Sequence, residues 1–239
     1  MTTGLVPTMG ALHDGHRALL RAARAENDRV VMSLFVNPTQ FAAGEDFDRY
    51  PRDDQRDRQI AAEEGVDEVL APTVEQMYPA GFSTRVEVGA VAERLEGAAR
   101  PGHFAGVATV VLKLLHLVAP DRVYFGQKDA QQLAVIRRMV RDLDVAVEVR
   151  AVPTQRDADG LALSSRNVYL GDDDRRRAAS LHRALAAGDR SLVEGEVEYF
   201  DVVDPETFEP AEPRAGTLRV AAARFGKTRL IDNVVLVEP

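Results

Sequence analysis

The chain has 239 residues, with 30 Lys+Arg against 38 Asp+Glu for a formal net charge of -8, and 45% of it is hydrophobic. That balance excludes a disordered chain, argues against generic nucleic-acid binding, and leaves room for one sizeable core or a larger domain with a smaller appendage. Cysteine is absent, which excludes a disulfide scaffold, a thiolate zinc site and a cysteine nucleophile; with no apolar run near the roughly 18 residues of a membrane span and no signal-peptide start, a cytoplasmic setting is expected.

Along the chain, Gly4-Leu5-Val6 reads as the end of a buried strand stopped by Pro7. Ala18, Leu19, Ala22 and Ala23 recur at helical spacing, and Val30 to Val36 is an apolar run of strand length. Val66 to Ala71 predicts a strand, Val107 to Val118 a helix, and Arg122 to Phe125 another strand. Leu133, Ile136, Val140 and Leu143 keep a helical spacing before a Val-rich strand from Val145 to Val152. Strands alternating with helices predict an α/β core, a Rossmann-like parallel sheet with helices on both faces, over 1–152. The texture then changes. Asp172-Asp173-Asp174 followed by Arg175-Arg176-Arg177 predicts a helix whose charges complement its dipole. Strand candidates at Glu196 to Val203 and Thr217 to Ala222, separated by prolines, predict a smaller α+β C-terminal domain over 153–239.

Four constellations fall where predicted strands hand over to helices, the place where open parallel sheets bind ligands. In Pro7-Thr8-Met9-Gly10-Ala11-Leu12-His13-Asp14-Gly15-His16, two histidines three apart share a helix face beside free backbone N–H groups, an arrangement suited to phosphate. A zinc pair is the other reading, but no third ligand of matching spacing follows. In Phe35-Val36-Asn37-Pro38-Thr39-Gln40-Phe41, two neutral amides suit a small hydroxylated substrate, unless the segment is a simple Asn-Pro turn. Gly126-Gln127-Lys128-Asp129-Ala130-Gln131-Gln132 supplies a point positive charge and an acceptor for ribose hydroxyls. Finally, Ser164, Ser165 and Arg166 form a donor-only surface matched to triphosphate oxygens. No Walker pattern, dinucleotide fingerprint, kinase signature or nucleophile elbow is present.

Taken in order, PTMGALHDGH, FVNPTQF, RPGHFAGVATVV, FGQKDAQQL, DGLALSSRNVYL and GKTRLIDN resemble the pantothenate synthetase (pantoate–β-alanine ligase) family of the nucleotidylyl-transferase superfamily. The resemblance implies ATP-dependent joining of pantoate to β-alanine through a pantoyl adenylate, with release of AMP and pyrophosphate, magnesium as cofactor and a homodimer as the working state. It implies that Met9, His13, His16, Gly126, Lys128, Asp129, Gln155, Leu163, Ser164, Ser165 and Arg166 bind ATP. Of these, His13, His16, Lys128, Ser164, Ser165 and Arg166 would be catalytic. Met9, Asn37, Gln40 and Gln132 would bind pantoate, with Tyr50 and His103 shaping the pocket. Relative to the family, the chain starts almost on its first strand, and the stretch between His182 and Tyr199 is expected to be short. Two rivals predict other outcomes: a nucleotidylyl transferase acting on a phosphate acceptor would need extra basic residues there, and a catalytically dead nucleotide-binding protein would release no pyrophosphate.

Overall fold

The computed structural model describes residues 1–42, 44–45 and 47–237, so the last two residues of the expected C-terminal domain lie outside the described residues. Strands β1 (Thr3–Thr8), β2 (Arg29–Leu34), β3 (Glu68–Leu70), β4 (Arg122–Gly126) and β5 (Glu148–Val152) form one parallel sheet in the order β3-β2-β1-β4-β5. Side chains alternate between its faces. Val6, Val30, Met32 and Tyr124 point to one side, where α1 (Asp14–Glu26) and α2 (Asp54–Glu63) bury Leu19, Leu20, Ala23, Ile60 and Ala61 against them. Leu5, Val31, Val123 and Phe125 face the other core. Two single-turn helices, α3 (Val74–Met77) and α4 (Glu96–Ala99), precede α5 (His103–Val118), which with α6 (Ala130–Asp142) covers that side. Each fully buried Leu or Val contributes about 1.5–3 kcal/mol, so the two cores fix the register of the sheet and thereby the strand ends.

The C-terminal part carries α7 (Asp172–Ala178), α8 (Ser180–Ala187) and an antiparallel sheet of β6 (Glu196–Val203), β7 (Leu218–Phe225) and β8 (Thr228–Val235). Ala178, Leu181 and Leu185 pack on Ala221, Ala223 and Phe225. Val203, Phe208, Leu218 and Val220 instead enter the core of α5 and α6, so the small sheet packs on the side of the large one that those helices cover.

Several elements depart from the sequence reading, which also did not anticipate α3, α4 and α8. Pro7 does not end β1 but lies within it. The carbonyl of Thr3 accepts from Asp121, and those of Thr2 and Thr8 accept from Arg29 and Phe35, so odd residues of β1 face β4. Pairing with β4 ends at Leu5↔Val123, just before Pro7, which has no N–H to continue that ladder, while pairing with β2 runs on to Thr8↔Leu34. β3 shrinks to three residues. α2 escapes periodicity because its buried face is only Asp57, Ile60 and Ala61. β8 escapes because Asp232 and Asn233 are buried polar residues in what should be an apolar alternation.

Candidate active site

The strand order reverses between β1 and β4, both of which end at the same edge of the sheet, and this is where a crevice opens above an α/β sheet. The loop from β1 to α1 is held from below by Asp57 of α2. Its carboxylate, 1% exposed, accepts the backbone N–H groups of Ala11 (2.9 Å) and Leu12 (2.8 Å). Gly10 at φ 84° has no room for a Cβ, which would lie 2.7 Å from Asp57 Oδ2. α1 then begins with a capping box made of two imidazoles. His13 Nδ1 accepts from the Gly15 N–H (3.1 Å), and His16 Nδ1 accepts from the His13 N–H (3.3 Å). The rings sit 4.1 Å apart. Because each Nδ1 accepts, each proton resides on Nε2. Gly15 is required here, since a Cβ would lie 2.8 Å from the His13 ring. Burial, with Lys128 next, lowers His13 to about 4; burial, with His13 next, lowers His16 to about 3. Both are therefore neutral N–H donors at neutral pH.

After β2, the 3-10 turn Pro38–Gln40 is capped by Asn37. Asn37 is 1% exposed and all its polar capacity is spent: Nδ2 donates to Gln40 Oε1 (3.0 Å) and to the Gly106 carbonyl (3.2 Å), while Oδ1 accepts from Thr39 and from the Tyr78 hydroxyl (2.7 Å). Asn37 reaches the pocket wall but offers no spare hydrogen bond, and its effect passes through Gln40. With Oε1 taken by Asn37, Gln40 turns Nε2 toward Met9 Sδ (3.1 Å). α5 can come this close because residue 106 is glycine: a Cβ there would lie 2.3 Å from the Thr39 carbonyl oxygen. Gln132, one turn into α6, lines the same pocket.

Lys128 and Asp129 lie in the 3-10 turn that follows β4, with Lys128 Nζ 3.2 Å from Asp129 Oδ1. Burial pushes the Asp129 carboxyl up, but Lys128 and Arg166 outweigh it and hold the group below its ordinary value. From the other wall, Ser164 caps the turn Ser165–Tyr169 by accepting the Arg166 N–H (3.2 Å). The Ser165 hydroxyl lies 3.2 Å from that of Tyr50, itself 5% exposed, which ties the serine loop to the segment after β2. The Leu163 N–H donates to the carbonyl of Gln155 (2.9 Å).

These segments enclose a cavity of about 220 Å³ lined by Met9, His13, His16, Asn37, Gln40 and Tyr50, by Gly126, Lys128, Asp129 and Gln132, and by Gln155, Leu163, Ser164, Ser165 and Arg166. It adjoins a cleft of about 930 Å³ that reaches β8 and shares Lys128, Asp129, Gln132, Ser164 and Arg166 with it. His103 faces the cleft and stands behind Gln40 rather than in the smaller pocket. Its Nε2 accepts from Arg100 (3.0 Å), so its Nδ1–H donates to the Gln40 carbonyl (2.8 Å), and burial, then Arg100, lowers its pKa to about 4. Arg100 is paired twice to Glu45 (2.7 and 2.6 Å). Asp57, Tyr78 and Arg100 are supports that the sequence reading missed; Arg100 stood within the quoted RPGHFAG block, whereas Asp57 lies in a stretch of charge without any local signal. Among the described residues no group of three or more His, Asp or Glu could hold a metal ion, and no helix is long and apolar enough to cross a membrane.

Comparison with known proteins identifies the family. The family model described as pantoate-beta-alanine ligase matches residues 1–235. The pantothenate synthetase of Moorella thermoacetica is 54% identical over 258 aligned positions, covering 99% of this chain and 91% of that protein. That of Acidobacterium capsulatum is also 54% identical, covering 98% and 86%. Among solved structures, the pantothenate synthetase of Thermus thermophilus superposes with a TM-score of 0.95 at 51% identity, over 100% of this chain and 94% of that one. The pantoate-beta-alanine ligase of Francisella tularensis, solved with a β,γ-ATP ligand and β-alanine, gives 0.85 at 38% identity, over 98% and 89%. The chain belongs to the pantoate–β-alanine ligase family.

Proposed function

We propose that the pocket between β1 and β4 carries out the reaction of its family, the ATP-dependent condensation of pantoate with β-alanine, in two steps through a bound pantoyl adenylate. In the first, a pantoate carboxylate oxygen attacks the α-phosphorus of ATP, the bond to the bridging oxygen breaks, and pyrophosphate departs with the electron pair. In the second, the β-alanine amine attacks the activated carbonyl, loses a proton, and AMP leaves. No side chain becomes covalently attached, so catalysis is positioning and electrostatics.

The observation that carries the assignment is the separation of donor types in one cavity. His13, His16, Lys128, Ser164, Ser165 and Arg166 present donors from two walls, while Gln40 and Gln132 supply neutral amides beside Met9. Charged and N–H donors suit the phosphates and the leaving pyrophosphate; neutral amides suit a hydroxy acid bearing one carboxylate. Gly126 and Asp129 then meet the ribose, and Gln155 and Leu163 border the nucleotide. A phosphate acceptor would require further cations at Gln40 and Gln132, which disfavours the nucleotidylyl-transfer rival.

Magnesium takes oxygen ligands, keeps several waters and commonly rides on substrate phosphates with few protein carboxylates. The open donor set here suits an ion that arrives with ATP, where it would spread the charge of the leaving pyrophosphate. Residues 153–239, which carry the serine loop and β8, serve as the lid, and the working state is a cytoplasmic homodimer. Pantoate-dependent exchange of labelled pyrophosphate into ATP without β-alanine tests the two-step reading; exchange that requires β-alanine would replace it with a concerted route.

A further inference from the structure

Neighbouring residues of β8 hold the two loops assigned above to the nucleotide. Asp232 accepts a bidentate pair from Arg156 (2.6 and 2.9 Å), and the same guanidinium donates to the Gly160 carbonyl (3.1 Å), just ahead of the serine loop. Asn233 holds the other loop. Its Nδ2 donates to the carbonyl oxygens of Gln127 and Lys128, both at 2.9 Å. The Gln127–Asp129 turn has no side-chain cap of its own, so this amide is a tether from outside the parallel sheet.

Asn233 is 5% exposed, and its Oδ1 is buried without a hydrogen-bond partner among the described residues. A buried acceptor left unpaired is costly, yet here both amide hydrogens go to consecutive carbonyls. The side chain is therefore oriented by donation to the Lys128 turn. The motif GKTRLIDN, which ends on this residue, otherwise plays no part in the chemistry derived so far.

We propose that Asn233 is a positioning residue for adenylate formation: it fixes the Gln127–Lys128 backbone so that the Lys128 ammonium meets the departing pyrophosphate. The C-terminal sheet thereby contributes to the first half-reaction. This rests on the reading of Lys128 given under the proposed function.

Two half-reactions, measured separately, test it: pantoate-dependent exchange of labelled pyrophosphate into ATP, and coupling of β-alanine to preformed pantoyl adenylate. Asn233→Ala is expected to slow exchange about 10–100-fold, the scale of a small misplacement of a catalytic group, and to slow coupling far less. Asn233→His, which keeps one N–H able to reach a carbonyl, is expected to recover part of the exchange. In a Lys128→Ala background, Asn233→Ala should add no further loss, because residues acting as one unit are not additive. An equal proportional loss of both half-reactions in both variants, or the same fold-loss with and without Lys128, overturns the proposal. Exchange by Lys128→Ala at the parent rate would instead remove the reading of Lys128 itself, and this proposal with it.

Discussion

His13 and His16 cap the first turn of α1 through their own side chains, each imidazole accepting a backbone N–H with Nδ1 and keeping its proton on Nε2. One pair of residues thus closes the helix end and supplies two neutral donors to the pocket. Protonation at Nδ1 would break both caps, which makes the arrangement sensitive to acid.

Stability should follow that sensitivity. The folded-state values, about 4 for His13 and about 3 for His16, lie below the ordinary 6.5, so the unfolded chain binds more protons in the intervening range. The contribution of these groups is complete above about pH 6.5 and is lost as pH falls through the folded values. Melting temperatures at pH 7 and pH 5 are expected to fall more in the parent than in a His13→Gln/His16→Gln variant; parallel declines would contradict this.

His13→Ala and His16→Ala are each expected to remain folded and to lose about 10²–10³ in the rate of adenylate formation, the usual cost of one preorganised donor to developing charge. Circular dichroism and pyrophosphate release read the two halves of the prediction. Turnover at the parent rate would mean that the imidazoles only cap the helix.

Gln40→Ala and Gln132→Ala should raise the KM for pantoate far more than that for ATP, because each removes an amide that the proposed function assigns to the hydroxy acid. Asn37→Ala should change the same parameter in the same direction, since it frees Gln40 Oε1 and the orientation of its amide. Equal changes for both substrates would reject this division of labour.

Asp57→Ala leaves the N–H groups of Ala11 and Leu12 without their acceptor. Two orphaned amides make a destabilisation of about 3 kcal/mol the expected result, read from denaturant unfolding. Activity should fall too, as the histidine loop loses its support. A loss below about 0.5 kcal/mol, typical of an ordinary surface site, would show that something other than the carboxylate holds the loop.

Local chemistry in the sequence was enough to locate the four donor-rich loops that line the pocket, though not the wall that α5 adds with Val107, Val110, Val111 and Leu114. Strand ends marked by Gly, Pro and Asn, apolar periodicity in α1, α5 and α6, and donor-rich loops at each handover are short-range signals, and the parallel sheet brings such loops to one edge whatever the details. The fold class followed from the same alternation. What the chain could not announce is the set of contacts between segments far apart in sequence: Asp57 under Ala11, Gly106 against Thr39, Tyr50 beside Ser165, Asn233 on the Lys128 turn. Nor could it distinguish Gln40, whose amide turns toward Met9, from Asn37, whose amide is wholly spent on neighbours. In sequence the two look alike. Burial, and the partners that packing puts within hydrogen-bond reach, decide whether a polar group keeps hydrogen-bonding capacity toward the pocket or spends it on its neighbours, and those quantities exist only once the sheets have closed on each other.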